Sequence, residues 1–287
     1  MKRIEAVIER DSEVYLMSDT HEDIMMNERG LTKHITHISK EPKYRKWIHL
    51  GDWIEAIATD DKRYQFVEVK DKNGNIRQQC PIPHKQAQKI SDIFMPIAEQ
   101  GIVGLLGNHE RRHHRIINLA EYICSEKLGI PYGTGMARVI LKDSNGNRLF
   151  NFLVCHGAWL FTSNAKDYEQ QQANMKAMLR MRLNALRIAD CALLACGHAH
   201  KLLISPPANP LYLNDSDQGM KQHYLETDCT ASYIPPEQRW CCCTGSYRKN
   251  MVDGMDDYAE TLGPVELGCI KVIIKAGKIA NVVPFKV

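Results

Sequence analysis

The chain has 287 residues, of which 44% are hydrophobic and 25% charged, and its formal net charge is +3. These proportions are typical of a globular protein with a substantial core and exclude a largely disordered chain. The weak net charge indicates no particular partner, although a local basic patch is compatible with it. Residues 1–10 lack a signal-peptide core, and no uncharged apolar run approaches the roughly 18 residues of a membrane span. We therefore expect a cytoplasmic protein without membrane association.

Short runs rich in aliphatic and aromatic residues predict strands along the chain. The predicted strands are 13–18, 46–50, 102–106, 138–141, 149–154 and 191–196. Longer amphipathic stretches between them predict helices. The predicted helices are 84–100, with Pro96 kinking or ending it, 112–128 and 167–189. This alternation predicts βα units.

Pairs of turn-forming residues predict three tight hairpins. They are Asn73-Gly74, Asn145-Gly146 and Ala276-Gly277. Residues 205–220 are predicted to form a loop. Helices that alternate with strands, together with antiparallel hairpins, predict an α/β sandwich with mixed sheets. Because no domain boundary is apparent, we expect one domain over residues 1–287, with an insertion at about 57–83.

Ten cysteines are distributed along the chain without a CxxC pair. Several lie in apolar runs such as 191–196, where cysteine behaves as a small hydrophobic residue. We therefore expect free thiols and a reducing compartment. The three consecutive cysteines at 241–243 could bind a soft metal, but adjacent residues of a strand point to opposite faces, which disfavours a shared ion.

Polar motifs follow five of the apolar runs. They are Asp19-Thr20-His21, Gly51-Asp52, Gly107-Asn108-His109-Glu110, His156-Gly157 and Gly197-His198-Ala199-His200. Ligands bind at the carboxyl ends of strands in open α/β sheets, so these motifs can converge on one crevice. Carboxylate and amide oxygens together with imidazole nitrogens suit divalent Mn, Fe or Zn. Asp52 has two carboxylate oxygens and is the candidate bridge between two ions.

This set of motifs resembles that of the calcineurin-like metallophosphoesterases. The family order is D-x-H, GD, GNH followed by D or E, a lone H and then GHxH, and all five elements are present from Asp19 to His200. Residues 244–247 also look like the small-residue turn that follows GHxH in this family. The resemblance implies a four-layer α-β-β-α sandwich with two mixed β-sheets. It also implies hydrolysis of a phosphate ester by a two-metal site.

The resemblance further implies a role for each motif residue. One ion is bound by Asp19, His21, Asp52 and His200, and the other by Asp52, Asn108, His156 and His198. His109 contacts the phosphate or protonates the leaving oxygen, and Glu110 orients His109. Two divalent ions are therefore expected, with Mn first and Fe, Zn, Ni or Mg as alternatives.

Differences from the motifs of related families exclude some classes of phosphoesterase. Gly51-Asp52 is not followed by the VDRG of serine/threonine protein phosphatases, and residues 53–58 lack the tyrosine ligand of purple acid phosphatases. The remaining branch holds SbcD-type nucleases and small cytoplasmic phosphodiesterases. However, the 87 residues after His200 leave no obvious room for both a capping domain and an ATPase-binding tail.

Arginines that directly follow His109 suggest a contact with the substrate. Arg111, Arg112 and Arg115 are predicted to hold a polyanion such as DNA or RNA, and the alternative is a solvated helix start. Basic residues at a helix N-terminus oppose the macrodipole, so helix stability does not explain them. The sequence therefore predicts a phosphodiesterase or nuclease. The alternatives are a phosphomonoesterase acting on a nucleotide or other small phosphate, and a non-catalytic metal-binding scaffold.

Overall fold

The computed structural model describes residues 1–64, 68–70, 74, 76–251 and 264–287. Within these ranges the strands are β1 (Lys2–Val7), β2 (Ser12–Met17), β3 (Arg45–His49), β4 (Glu68–Lys70), β5 (Ile76–Gln78), β6 (Gly101–Gly104), β7 (Met136–Lys142), β8 (Arg148–Cys155), β9 (Leu193–Cys196), β10 (Leu203–Ser205), β11 (Leu211–Asn214), β12 (Lys221–Tyr224), β13 (Trp240–Cys243), β14 (Gly268–Lys275) and β15 (Lys278–Lys286). The α-helices are α1 (Glu28–Ser39), α2 (Pro83–Phe94), α3 (Asn108–Arg111), α4 (Leu119–Glu121) and α5 (Tyr168–Asn184). Short 3₁₀ or π segments are Met95–Gln100, Tyr122–Lys127 and Pro236–Gln238.

Most strands belong to two mixed sheets. Sheet I has the order β1-β7-β8-β9-β13-β10, and sheet II has the order β15-β14-β2-β3-β6. In sheet I the strands β8, β9 and β13 run parallel, and in sheet II β2, β3 and β6 run parallel. Antiparallel neighbours complete both sheets, as in the β7–β8 and β14–β15 pairs. Each sheet therefore carries a parallel core of three strands.

The two sheets pack face to face, and helices cover their outer faces. Val14 and Ile48 of sheet II share one buried cluster with Phe152 and Ala195 of sheet I. On the other side of sheet I, α5 buries apolar residues such as Leu179. On the other side of sheet II, α1 and α2 contribute to a third buried cluster. The predicted four-layer α-β-β-α sandwich is therefore confirmed.

The three consecutive cysteines of β13 alternate between two layers. Cys241 and Cys243 pack on the α5 side of sheet I, whereas Cys242 lies in the cluster between the sheets. All ten cysteines are free, as predicted. Among the residues that the structure describes, no cysteine belongs to a group that could hold a metal ion. The thiols of β13 are therefore core residues.

All six predicted strands are present, with bounds that shift by at most two residues. The prediction of a continuous helix at 112–128 is wrong, because α3 ends at Arg111 and helical structure resumes only at Leu119. The predicted loop at 205–220 is also wrong in part, because β11 pairs with β12. These corrections concern surface segments, and they leave the two sheets unchanged.

Two of the predicted hairpins lie within the described residues. Asn145-Gly146 connects β7 to β8, where the Asp143 carboxylate accepts hydrogen bonds from the main-chain N–H groups of Asn145 and Asn147. Ala276-Gly277 connects β14 to β15. The third prediction falls on Asn73, which lies outside the described residues, although β4 and β5 on either side do pair antiparallel. No helix in the described ranges combines the length and the apolar content needed to cross a membrane.

Candidate metal centre and its pocket

The five predicted motifs lie together at one edge of the sandwich. In sheet II, Asp19 follows β2, Asp52 follows β3 and Asn108 follows β6. In sheet I, His156 follows β8 and His198 follows β9. Because each of these strands belongs to the parallel core of its sheet, their carboxyl ends bring the polar residues to one place. The side chains then contact one another across the gap between the sheets.

One group of donor atoms joins Asp19, His21 and His200. The Nε2 atoms of His21 and His200 are 3.2 Å apart, and His200 Nε2 is 3.2 Å from Asp19 Oδ1. His21 Nε2 also lies 3.9 Å from Asp52 Oδ2. One donor atom from each of Asp19, His21 and His200 falls within 4.8 Å of the others, which is close enough to share a metal ion.

A second group joins Asp52, Asn108, His156 and His198. His156 Nε2 is 2.8 Å from Asn108 Oδ1 and 3.2 Å from Asp52 Oδ2. His198 Nδ1 is likewise 2.8 Å from Asn108 Oδ1. Asp52 therefore lies between the two groups, where the sequence predicted a bridging ligand.

The hydrogen bonds of His156 indicate what this donor set can hold. His156 Nδ1 lies 2.9 Å from Leu50 O, and a carbonyl oxygen can only accept, so Nδ1 carries a proton. In neutral His156, Nε2 then directs a lone pair at Asp52 and Asn108. Lone-pair donors at such distances repel one another unless a cation or a proton lies between them. Two carboxylates, one amide and four imidazoles therefore fit the predicted pair of divalent ions.

The buried carboxylates of the site raise the pKa values of two buried histidines, His21 and His156. Burial opposes a charged imidazole at His21, but the carboxylates of Glu55, Asp19 and Asp52 outweigh it and raise the pKa of His21 to about 10. Burial also opposes a charged imidazole at His156, but the Asp52 carboxylate outweighs burial and raises the pKa of His156 to about 9. Metal binding to such a site would displace the protons that these histidines hold.

Five of the seven predicted ligands have a left-handed backbone. The φ angles are 54° at Asp19, 45° at His21, 54° at Asp52, 70° at His198 and 53° at His200. Only nine described non-glycine residues have positive φ, so more than half of them lie in this cluster. Each such residue costs about 1–3 kcal/mol, and strain of this kind concentrates at functional sites.

Main-chain contacts hold the strained residues in place. The Asp19 carbonyl accepts hydrogen bonds from Ser246 Oγ at 2.9 Å and from the Tyr247 N–H at 2.9 Å, both in the turn after β13. The His198 N–H donates to Asp19 Oδ2 at 2.9 Å. A Cβ atom at Gly107 would overlap Asp52 Oδ1, so this position requires glycine for the loops to approach.

Glu55 is a site residue that the sequence did not identify. It is 2% exposed, and its Oε2 lies 2.7 Å from His21 Nδ1 and 3.3 Å from Arg248 Nε. Its main-chain oxygen accepts from His109 Nδ1 at 2.7 Å, which leaves His109 Nε2 facing the pocket. Glu55 therefore fixes the orientation of both histidines. The sequence feature that could have identified Glu55 is its position as a carboxylate three residues after Asp52.

The structure corrects the role predicted for Glu110. Its two carboxylate oxygens accept hydrogen bonds from the main-chain N–H groups of Ile54 at 3.0 Å and Gly107 at 2.9 Å. The His109 ring is oriented by Glu55 instead. Glu110 is fully buried, and burial together with the nearby Asp52 raises its pKa to about 7. Its contacts join the loop after β3 to the loop after β6.

A pocket of about 270 Å³ opens beside the two donor groups. Its lining includes His21, Asp52, His109, His198 and His200. The lining also includes four cationic side chains, namely Arg63, Arg112, Lys201 and Arg248. Of the three arginines predicted to contact substrate, only Arg112 lines the pocket, whereas Arg111 and Arg115 are exposed outside it. Arg63 was missed because it lies in a segment without a motif, and Arg248 was missed although it directly follows the turn at residues 244–247.

Comparisons with known proteins give distant structural likenesses. A Haemophilus influenzae NAD nucleotidase is 12% identical with a TM-score of 0.42, and the match covers 96% of this chain and 50% of that one. A Sphaerobacter thermophilus metallophosphoesterase is 13% identical with a TM-score of 0.38, covering 96% and 88%. A Thermus thermophilus 5'-nucleotidase precursor is 13% identical with a TM-score of 0.39, covering 95% and 53%.

The chain therefore spans about half the length of the NAD nucleotidase and of the 5'-nucleotidase precursor. No protein-family model and no curated protein sequence matches it. The sandwich and the convergence of the motifs rest on the geometry of this chain itself. By that geometry the chain has the metallophosphoesterase fold, with the five motifs that resemble those of the calcineurin-like superfamily gathered at one edge.

Proposed function

We propose that this chain is a phosphoesterase that binds two divalent ions and hydrolyses small phosphate esters. The observation that carries the proposal is the pair of donor groups that meet at Asp52. One ion would be held by Asp19, His21, Asp52 and His200, and the other by Asp52, Asn108, His156 and His198. Mn is the first candidate, and Fe, Zn, Ni and Mg are the alternatives.

The residues around the pocket have distinct tasks in this proposal. The bound ions would neutralise phosphate charge and supply an activated water. His109 directs Nε2 into the pocket while its Nδ1 is held by the Glu55 carbonyl, so Nε2 can deliver a proton to the leaving oxygen. The left-handed ligand residues are already in position, which reduces the reorganisation needed on binding.

The dimensions of the pocket favour a small substrate over a nucleic-acid strand. A volume of about 270 Å³ lies near the lower end of small-molecule sites, which span roughly 300–1,000 Å³. The predicted nuclease rested on the resemblance to SbcD-type nucleases and on three arginines expected at the rim of the crevice, of which only Arg112 lines the pocket. Small phosphodiesters and phosphomonoesters are therefore the substrates to test first, with DNA as a further arm.

The test combines metal counting with a substrate screen. Metal-depleted protein would be supplied separately with Mn²⁺, Fe²⁺, Zn²⁺, Ni²⁺ or Mg²⁺, and the bound ions counted per chain. Each form would then be assayed on p-nitrophenyl phosphate, bis-p-nitrophenyl phosphate, cyclic nucleotides and single- and double-stranded DNA. We expect two ions per chain and metal-dependent hydrolysis of at least one small ester.

Three outcomes would contradict the proposal. Binding of two ions without hydrolysis of any substrate would indicate a non-catalytic metal-binding scaffold. Failure to bind two ions with any of the five metals would exclude the two-metal site itself. Cleavage of DNA with no turnover of small esters would restore the nuclease and overturn the small-substrate proposal.

A further inference from the structure

His49 is a buried histidine at the end of β3 that belongs to neither donor group. It is fully buried, and its ring stacks on the Trp53 ring with centroids 3.6 Å apart and an interplanar angle of 17°. The Phe94 ring contacts it edge to face at 5.7 Å between centroids. A phenylalanine ring could pack in the same way, and it would avoid burying polar atoms. Packing alone therefore does not explain a histidine at this position.

The two ring nitrogens of His49 contact both of the loops that follow β2 and β3. The Gly51 N–H donates to His49 Nδ1 at 3.2 Å, so Nδ1 presents a lone pair rather than a proton. Burial lowers the pKa of His49 to about 3, which keeps the imidazole neutral near pH 7. The proton of the neutral ring is then on Nε2, which lies 3.3 Å from Thr20 Oγ1 and donates to it.

The Thr20 hydroxyl continues this chain of hydrogen bonds. Thr20 is fully buried and directly follows Asp19, and its Oγ1 donates to Trp53 O at 2.8 Å. A hydroxyl group can accept one hydrogen bond while it donates another. The path therefore runs from the imidazole of His49 through the hydroxyl to a carbonyl in the loop after β3.

The loops that His49 joins are those with left-handed ligand residues. The backbones of Asp19, His21 and Asp52 all have positive φ. Two main-chain hydrogen bonds also join these loops, from the Asp19 N–H to Gly51 O at 3.0 Å and from the His21 N–H to Asp52 O at 3.1 Å. Strained conformations persist only where the surrounding contacts over-determine them. The imidazole of His49 adds one side-chain contact to each loop.

We infer that His49 is a positioning residue, which holds the loops of Asp19 and Asp52 in the geometry that binds the two ions. This inference rests on the proposed function, because it concerns the metal site proposed there. His49 acts through Gly51 and Thr20. Its Nδ1 holds the main chain before Asp52, and its Nε2 holds the hydroxyl after Asp19.

Three variants separate the hydrogen bonds of His49 from its packing. His49→Phe keeps an aromatic ring against Trp53 and removes both hydrogen bonds. His49→Asn restores an acceptor near the position of Nδ1, and Thr20→Val breaks the path from its other end. Calorimetry would use whichever of the five metal ions the parent protein binds most tightly. His49→Phe and Thr20→Val should weaken metal affinity by about 10–100-fold, and His49→Asn should recover part of the loss.

A control and a second readout distinguish positioning from a general loss of stability. Leu179→Ala is the control, because Leu179 packs in the outer layer and is neither a proposed ligand nor part of the pocket lining. It should destabilise the metal-free protein without changing metal affinity. The absorption spectrum of bound Co²⁺ depends on the arrangement of its ligands. This spectrum should change in His49→Phe and stay unchanged in Leu179→Ala.

The inference and the proposed function fail in different ways. Unchanged metal affinity in His49→Phe, in a parent protein that binds two ions, would overturn the inference alone. A loss that His49→Asn shares in full would overturn the role of Nδ1, and unchanged affinity in Thr20→Val would overturn the role of Nε2. The last comparison still decides if His49→Phe does not fold. Failure of the parent protein to bind two ions would instead refute the proposed function.

Discussion

At the scale of single residues, Asp52 and His109 are expected to differ in what they do for the metal centre. Asp52 lies between the two donor groups. His109 Nε2 lies 4.0 Å from Asp52 Oδ2, and His109 could form a further group with His21 and Asp52, but it belongs to neither proposed ligand set. Asp52→Asn should therefore release metal and abolish hydrolysis. His109→Ala should keep both ions and slow turnover by about 10²–10⁴-fold, the usual loss on removing a general acid. Metal counting on both variants checks this, and loss of both ions from His109→Ala would contradict the role given to His109.

The carboxylate of Glu55 gives a second prediction. Because Glu55 Oε2 lies 2.7 Å from His21 Nδ1, it fixes the ring that presents Nε2 to the metal. Glu55→Gln should weaken metal affinity by about 10–100-fold, as is typical when the partner of a ligand histidine is changed. Competition with a chelator measures the affinity. Glu126→Gln, at an exposed position far along the chain, serves as control. Unchanged affinity in Glu55→Gln would contradict this role.

The left-handed backbone of His200 can be tested without assaying activity. With φ of 53°, His200 has a conformation that glycine adopts readily and alanine does not. His200→Gly and His200→Ala remove the same imidazole, so their difference in stability isolates the strain. The glycine variant should be more stable than the alanine variant by about 1 kcal/mol, measured by chemical denaturation of the metal-free proteins. The opposite order would indicate that the backbone is not strained there.

The predictability of the site residues depends on their distance from a motif. The seven proposed ligands closely follow apolar strands, so the sequence alone singled them out as candidates. Lys201 is adjacent to His200, and Glu55 follows Asp52 by three positions, but neither fits a motif. Arg63 reaches the pocket only through a loop conformation that no local pattern encodes, and Arg248 follows the turn at residues 244–247, whose pattern does not itself include an arginine. Tertiary folding, rather than local sequence, therefore determined what was missed.

At the scale of elements, the strands that precede the motifs were predictable, whereas the β11–β12 pair, the helix α1 and the break in the helix predicted at 112–128 were not. The strands form continuous apolar runs because both faces of each sheet are covered. The helix α1 was missed because two of its buried positions are Gly30 and His34, which weaken the apolar period. The π segment and the gap before Asn118 likewise broke the helix predicted at 112–128.

Substitutions on the helix α5 can measure how much the outer helical layer contributes to the stability of the fold. Leu179 is fully buried against sheet I, whereas Met181 is 60% exposed on the same helix. Leu179→Ala should destabilise the fold by about 2–5 kcal/mol, since it removes a large side chain from a packed layer. Met181→Ala should change stability by less than about 0.5 kcal/mol. Urea denaturation of both variants checks the contrast, and equal effects would mean that α5 does not pack as described.

At the scale of the whole molecule, His34 links distant segments. Its Nε2 lies 3.2 Å from Lys286 O, so Nε2 carries a proton, and its Nδ1 lies 2.8 Å from the Tyr247 hydroxyl. It thereby joins α1 to β15 and to the turn that holds Asp19. Burial lowers the pKa of His34 to about 4. His34 therefore stays neutral in the folded state well below the pH at which an exposed histidine is protonated.

This shift predicts how stability depends on pH. Between about pH 6.5, where the unfolded histidine titrates, and pH 4, only the unfolded state takes up the proton. The contribution of His34 is therefore complete above this window and is lost as the pH falls through it, by up to about 1.4 kcal/mol per pH unit. His34→Asn should lose less stability than the parent between pH 7 and pH 4.5 in urea titrations of the metal-free proteins. Parallel curves would contradict the shift.

The order of strands in sheet II has a consequence for how the protein is made. β2 leads directly into Asp19, yet its neighbour β14 is synthesised much later than β2, since Leu16 pairs with Ile270. While the ribosome is still translating the middle of the chain, one edge of β2 has no partner from β14. Such an edge is open to wrong pairing, and contacts this distant in sequence form slowly. The nascent chain is therefore expected to need protection by chaperones until β14 has been made, and the turn that carries Asp19 is expected to become ordered only after that.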